Sequence, residues 1–105
     1  MAATVIHSGN FEESVKNGVT LIDFWAPWCG PCRAQSPIIE ELASELEGTA
    51  RIGKVNVDDE GELASRFGIT GIPTMVIFKD GEPVDKLVGL QSKETLKTKI
   101  MKHVG

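Results

Sequence analysis

Residues 19–26 read VTLIDFWA, an almost unbroken run of apolar and β-branched side chains. A strand with one wet face alternates apolar with polar residues, whereas a run without alternation belongs to a strand covered on both faces. This segment therefore calls for a sheet with a layer on either side, which is the α/β arrangement. The same run leads directly into WCGPC, residues 28–32, which holds both cysteines of the 105-residue chain.

The remaining sequence fits around that strand. Residues 4–7 are short and β-branched, a candidate first strand. Ser8 or Asn10 can cap a helix with Phe11 and Val15 on one face, ending near Asn17-Gly18. Beyond the cysteines, Ile39, Leu42, Ala43 and Leu46 recur at i, i+3, i+4 and i+7, so a helix follows and closes near Gly48. ARIGKVNVD (50–58) reads as a second central strand, and Asp58 or Asp59 can cap a short helix through Phe67, stopped by Gly68. TMVIF (74–78) and VDKLVG (84–89) flank KDGEP, where Asp-Gly signals a hairpin. Ser92 caps a last helix with Leu96, Ile100 and Val104 inward. The order β-α-β-α-β-α-β-β-α predicts an α/β fold with a central mixed, mainly parallel sheet of about five strands flanked by four helices. The hairpin supplies an antiparallel edge. The cysteines then lie at the carboxyl end of a strand, where open α/β sheets place their sites.

Composition narrows the function classes. A chain of this length forms one domain, residues 1–105. A net charge of −4 opposes nucleic-acid binding, which needs a basic face. No apolar run approaches the roughly 20 residues of a membrane span, and MAATVIHSGN lacks the pattern of a secretion signal. A cytoplasmic residence is the default expectation; a processed organellar chain would look the same.

Two cysteines are too few for a disulfide framework, and a loop this small would stabilise the fold very little as a staple. A tetrahedral metal site needs about four protein ligands, or three plus water. The pair supplies two, and His7 and His103 lie near opposite ends of the chain without ligand spacing, so neither metal nor cofactor is expected. Redox chemistry remains. Cys29 and Cys32 are three residues apart and share a face at the first turn of a helix. Pro31 suits that turn, where N–H groups have no helical partner, and Gly30 has no side chain to shield Cys29. The helix N-terminus carries about half an elementary positive charge and favours thiolate over thiol. Cys29 is then the exposed nucleophile, and Cys32, one turn inside, resolves the mixed disulfide it forms.

FWAPWCGPC (24–32), GIPT (71–74) and FKDGEPV (78–84), in this order and spacing, resemble the thioredoxin family over nearly the whole chain. The resemblance implies the thioredoxin fold and, from Gly-Pro between the cysteines, a protein-disulfide reductant. Asp23 already stands out as a carboxylate inside an apolar strand, where burial should raise its pKa. By resemblance it is the proton acceptor for Cys32, and Lys54 is its partner. The resemblance also implies a cis bond before Pro73, beside Cys29, and pairing of the Ile72 backbone with an extended client segment. Trp28, Ile72, Pro73, Val88, Gly89 and Leu90 would form an apolar client-binding rim. Pro37 should bend the helix after the cysteines. Arg33 stands where the family often has lysine, and AQSP (34–37) is more polar than the family's usual stretch.

The expected function is dithiol–disulfide exchange that reduces client proteins by a monomeric redox protein. Its implied partners are disulfide-containing proteins and a reductase, NADPH-linked or ferredoxin-linked. The competing readings are a docking module without catalysis, and an oxidase or isomerase.

Overall fold

The structure, a computed structural model, describes residues 2–105. Its sheet is built around β2 (Val19–Trp25), buried along its length up to a half-buried Trp25. On one side β2 pairs in parallel with β3 (Arg51–Asn56), which pairs in parallel with the short β1 (Thr4–Val5). On the other side β4 (Thr74–Lys79) runs antiparallel to β2, and β5 (Glu82–Val88) antiparallel to β4. The order across the sheet is β1-β3-β2-β4-β5. The sheet is mixed, as the hairpin requires, and its antiparallel part reaches inward to β2 itself.

Four helices complete the layers: α1 (Phe11–Val15), α2 (Gly30–Glu45), α3 (Gly61–Arg66) and α4 (Lys93–His103). Alternation along the strands divides the core in two. Val19, Leu21, Ile52, Met75 and Ile77 pack against Ile39, Leu42 and Leu46 of α2 and its cap and Leu96 and Ile100 of α4. Ile22, Phe24, Val55, Val76 and Phe78 face Phe11 and Val15 of α1 and Leu63 of α3. By the same alternation Asp23 follows Val19 and Leu21 onto the face that α2 covers.

Local chemistry sets the element ends, in places differently from the sequence reading. Ser92 caps α4, its Oγ accepting the Thr95 N–H at 3.1 Å. Asn10 precedes α1, but its Oδ1 accepts the His7 N–H and its Nδ2 donates to the Val5 carbonyl, so it braces the preceding turn instead of capping. Neither Asp58 nor Asp59 caps α3, which starts later, at Gly61; the Asp58 carboxylate instead accepts from Trp28 Nε1. The hairpin turns at Asp80-Gly81, both with positive φ (49° and 89°), the backbone of a two-residue turn that matches strand twist. β5 begins at Glu82, two residues earlier than the apolar pattern suggests. A register irregularity at Ile77/Phe78 and the edge position make room for Pro83, which has no N–H to give. α2 runs through Pro37 to Glu45.

One glycine is fixed by packing. Gly53 of β3 lies under Ile6, and a Cβ there would come within 2.7 Å of Ile6 Cγ1 and 3.3 Å of the Thr4 carbonyl. Ile6 is buried in the second core cluster and cannot step aside freely. Gly53→Ala should lower unfolding free energy by about 1–3 kcal/mol, read from the urea midpoint, without changing the redox activity of the folded protein.

Candidate redox site

β2 ends at Trp25, and the chain turns once before α2 begins, the Cys29 N–H donating to the Ala26 carbonyl at 3.2 Å. Cys29 is the N-cap of α2 and Pro31 lies in its first turn, which contains no acidic residue. Cys29 and Cys32 are joined by a disulfide with Cα atoms 5.2 Å apart. Cys29 Sγ accepts the Cys32 N–H at 3.2 Å, so an otherwise unpartnered amide of the helix start points at this sulfur. Negative charge on Cys29 is favoured by that amide and by the helix dipole. A Cβ on Gly30 would touch nothing, leaving the approach over the helix start open.

The expected contrast in exposure between the sulfurs is small in this oxidised form. Cys29 is 5% exposed and Cys32 2%. Cys29 is not open to solvent, because Ala26, Trp25 and Ile72 pack around the pair and its Sγ lies 3.8 Å from the Ile72 carbonyl oxygen. What separates the two is orientation: Cys29 faces the Ile72 side, whereas Cys32 faces inward. Cys32 lines a cavity of about 110 Å³ with Asp23, Trp25, Arg33, Ser36, Ile39 and Lys54.

Asp23 is 2% exposed, and its Oδ1 has no hydrogen-bond partner among the described residues. Burial pushes its carboxyl up to about 7, an effect only partly offset by the Lys54 charge. Lys54 lies opposite Asp23 in the parallel register of β2 and β3, yet its Nζ donates to Glu40 Oε2 at 3.1 Å. The lysine thus acts on Asp23 through space while bound to Glu40. Glu40 also accepts the Ala2 and Ala3 N–H groups at 2.8 and 3.0 Å.

Around the sulfurs, the Ile72-Pro73 bond is cis and Pro73 is buried. The Gly89 N–H donates to the Pro73 carbonyl at 2.8 Å, and Val88 pairs with Thr74, bringing the Val88–Leu90 segment against the proline. Val88 and Leu90 remain exposed at 62% and 52%. Trp28 is 67% exposed, its indole N–H held by Asp58. Arg33 turns back to the Pro27 carbonyl at 3.0 Å. The sequence reading has no role for Glu40, takes Asp58 only as a helix cap, and marks Gln35 only as part of the polar AQSP stretch, three positions beyond Cys32 on the helix. His7 Nδ1 accepts the Gly9 N–H, and His103 lies beside Asp85. Among the described residues no group of three or more His, Cys, Asp or Glu could hold a metal ion, and no helix is long and apolar enough to cross a membrane.

A family model described as thioredoxin matches residues 2–102. A thioredoxin of Staphylococcus saprophyticus is 48% identical over 104 residues, covering 99% of this chain and 100% of the relative. One of Staphylococcus aureus is 46% identical with the same coverage. Among solved structures, a mutant thioredoxin from Halobacterium salinarum superposes with a TM-score of 0.92 at 37% identity, covering 98% of this chain and 91% of that one. Malassezia sympodialis thioredoxin gives 0.85 at 35% identity, with 96% and 90% covered.

The Asp23 environment makes stability depend on pH. The folded chain holds this proton up to about pH 7, whereas an unfolded aspartate releases it near 3.8. Between those values the folded state binds more protons, so stability falls as pH rises and the ionised carboxylate bears the full penalty above neutrality. Asp23→Asn removes this dependence. Urea unfolding at pH 4 and pH 8 should show the variant gaining on the wild type with rising pH, by on the order of 4 kcal/mol across the interval. A difference independent of pH would mean that Asp23 is not held neutral by burial.

Proposed function

The chain belongs to the thioredoxin family, and from that premise we propose how its residues divide the work of disulfide exchange. It is a dithiol–disulfide oxidoreductase working through the Cys29–Cys32 pair. In the proposed cycle the reduced form meets a client disulfide. The Cys29 thiolate attacks one client sulfur, the client S–S bond breaks, and the other client sulfur leaves as a thiolate and takes up a proton. Cys32 gives its proton to Asp23 and attacks Cys29 Sγ. The Cys29–Cys32 bond forms and the second client thiolate departs. Two electrons have passed to the client, and a reductase returns them through the same pair.

Asp23 suits the role of base on energetic grounds. A carboxylate at its ordinary pKa takes a thiol proton poorly, whereas one raised to about 7 is matched to neutral pH. It shares a cavity with Cys32, and that cavity has room for water to carry the proton between them. Lys54 restrains the rise of the Asp23 pKa and compensates the charge once Asp23 ionises. Trp28, Ile72, Pro73, Val88, Gly89 and Leu90 form the client surface, with an extended client segment laid along the Ile72 backbone. Gly30 and Pro31 leave the approach clear and start the helix. The setting is the cytoplasm, where a lone cysteine pair is kept available for catalysis, and the working unit is a single-domain monomer. The observation that carries this reading is a disulfide at a helix N-terminus whose inner sulfur shares a cavity with a buried, proton-retaining aspartate.

Three variants test it with insulin as client and dithiothreitol as electron source. Cys29→Ser should lose insulin reduction entirely, while Cys32→Ser should accumulate a mixed disulfide visible by mass spectrometry. Asp23→Asn should form the mixed disulfide at the normal rate and release it roughly a hundredfold more slowly near pH 7. Insulin reduction surviving in Cys29→Ser would refute the catalytic reading and leave docking, and unchanged release in Asp23→Asn would remove the aspartate from the cycle.

A further inference from the structure

Gln35 lies one turn beyond Cys32 in α2 and is completely buried. Its side-chain amide makes a pair of hydrogen bonds with the backbone of one residue across the site. Nε2 donates to the Gln91 carbonyl at 3.0 Å, and Oε1 accepts the Gln91 N–H at 2.8 Å. A buried amide gains little over an aliphatic side chain of equal size, because its hydrogen bonds chiefly offset its desolvation. What an aliphatic residue would not supply is direction: two hydrogen bonds to one residue's backbone fix both its distance and its rotation.

That residue anchors the Val88–Leu90 edge. From Gln91 the side-chain Nε2 donates back to the Val88 and Gly89 carbonyls at 3.2 and 3.4 Å. Gly89, at φ +90°, in turn donates to the Pro73 carbonyl at 2.8 Å. A continuous hydrogen-bonded path therefore joins the helix that carries both cysteines to the segment that carries Val88 and Leu90. Residues 88–91 read VGLQ, without charge, and two of them are largely exposed aliphatics. Such an edge suits apolar side chains flanking a disulfide in an extended polypeptide. It offers nothing to a small, charged disulfide.

We propose that Gln35 is a positioning residue that holds the Val88–Leu90 edge in register with the Cys29–Cys32 pair and thereby sets affinity for polypeptide disulfides over small ones. The inference rests on the reading of residues 88–90 as part of the client surface. Without the Gln35 amide the edge keeps its bond to Pro73 but loses its link to α2, so polypeptide clients bind a looser surface while the chemistry at the sulfurs is unaltered.

The experiment compares Gln35→Leu, Gln35→Met and Leu90→Asp with the wild type, using insulin as the polypeptide probe and 5,5′-dithiobis(2-nitrobenzoate) as the small one. Thermal unfolding confirms that each variant is folded at the assay temperature, and the methionine variant stands in if the branched leucine does not fit. The expected result for both Gln35 variants is a KM for insulin raised about tenfold with kcat little changed. The rate with the small disulfide should stay at the wild-type value, and the Gln91 amide should exchange with solvent faster. Leu90→Asp should also raise the insulin KM. If Leu90→Asp raises it and the Gln35 variants do not, the client surface stands and the role of Gln35 is overturned. If neither does, both fail together. A parallel loss with both probes would make Gln35 a support of α2 and overturn its role in client affinity, as would a rise confined to the Gln35 variants.

Discussion

A strand with helices on both faces has no wet side, so every polar group it carries is desolvated by the layers around it. β2 carries two buried polar side chains, and their fates differ. Thr20 Oγ1 donates to the Ser14 carbonyl at 3.0 Å and is satisfied. Asp23 is left with an oxygen unpartnered among the described residues and retains its proton to about pH 7. Because Asp23 shares its face with Val19 and Leu21, it sits under α2, and because β2 runs straight into α2, the cysteines arrive above it. One buried strand thus positions both the cysteine pair and the aspartate proposed to manage the Cys32 proton.

The two ends of the exchange are handled by different physics. Cys29 is served by backbone dipoles: it caps a helix, accepts an amide, and meets no carboxylate in the first turn. Cys32 faces a small cavity with a carboxyl in its wall. The surface proposed for clients is open: Val88 and Leu90 stand exposed on a segment tied to the buried Pro73 through the Gly89 N–H, and exposed Trp28 is held separately by Asp58. Such a surface would bind by area and backbone pairing, which suits many clients.

The architecture was legible because burial and periodicity are written residue by residue. The unalternating β2, the i, i+3, i+4, i+7 spacing in α2, the Asp-Gly turn and the Ser92 cap each have a local cause, and each is found where the pattern puts it. Caps were less legible where a nearby group competes for the side chain. Asn10 has a strand carbonyl and the His7 amide within reach, and Asp58 has the Trp28 indole. The cysteines and Asp23 could be singled out from residue type and context alone. Glu40 and Gln35 could not be assigned partners, since each bonds to a segment dozens of residues away. Their contacts are set by the packing of α2 on the sheet and on the chain after β5. The Lys54–Asp23 pairing implied by resemblance is present in register but not as a direct bond, because the lysine has a second carboxylate to choose.

The two carboxylates near Lys54 end in opposite states. Burial pushes Glu40 up, yet hydrogen bonds from the Ala3 N–H, Lys54 and the Ala2 N–H outweigh it and hold its carboxyl below the ordinary range. Glu40 is partly exposed, so it ionises at little solvation cost and binds the lysine at 3.1 Å. Asp23 is offered the same cation only at longer range and from a site where ionisation is far more costly. Desolvation therefore wins at Asp23 and attraction wins at Glu40, although both carboxylates share one lysine. A direct ion pair would favour the ionised carboxylate and make it a weaker base toward a thiol. Glu40 holds the lysine at 3.1 Å while burial holds Asp23 at about 7, the range that suits the proposed exchange of a proton with Cys32.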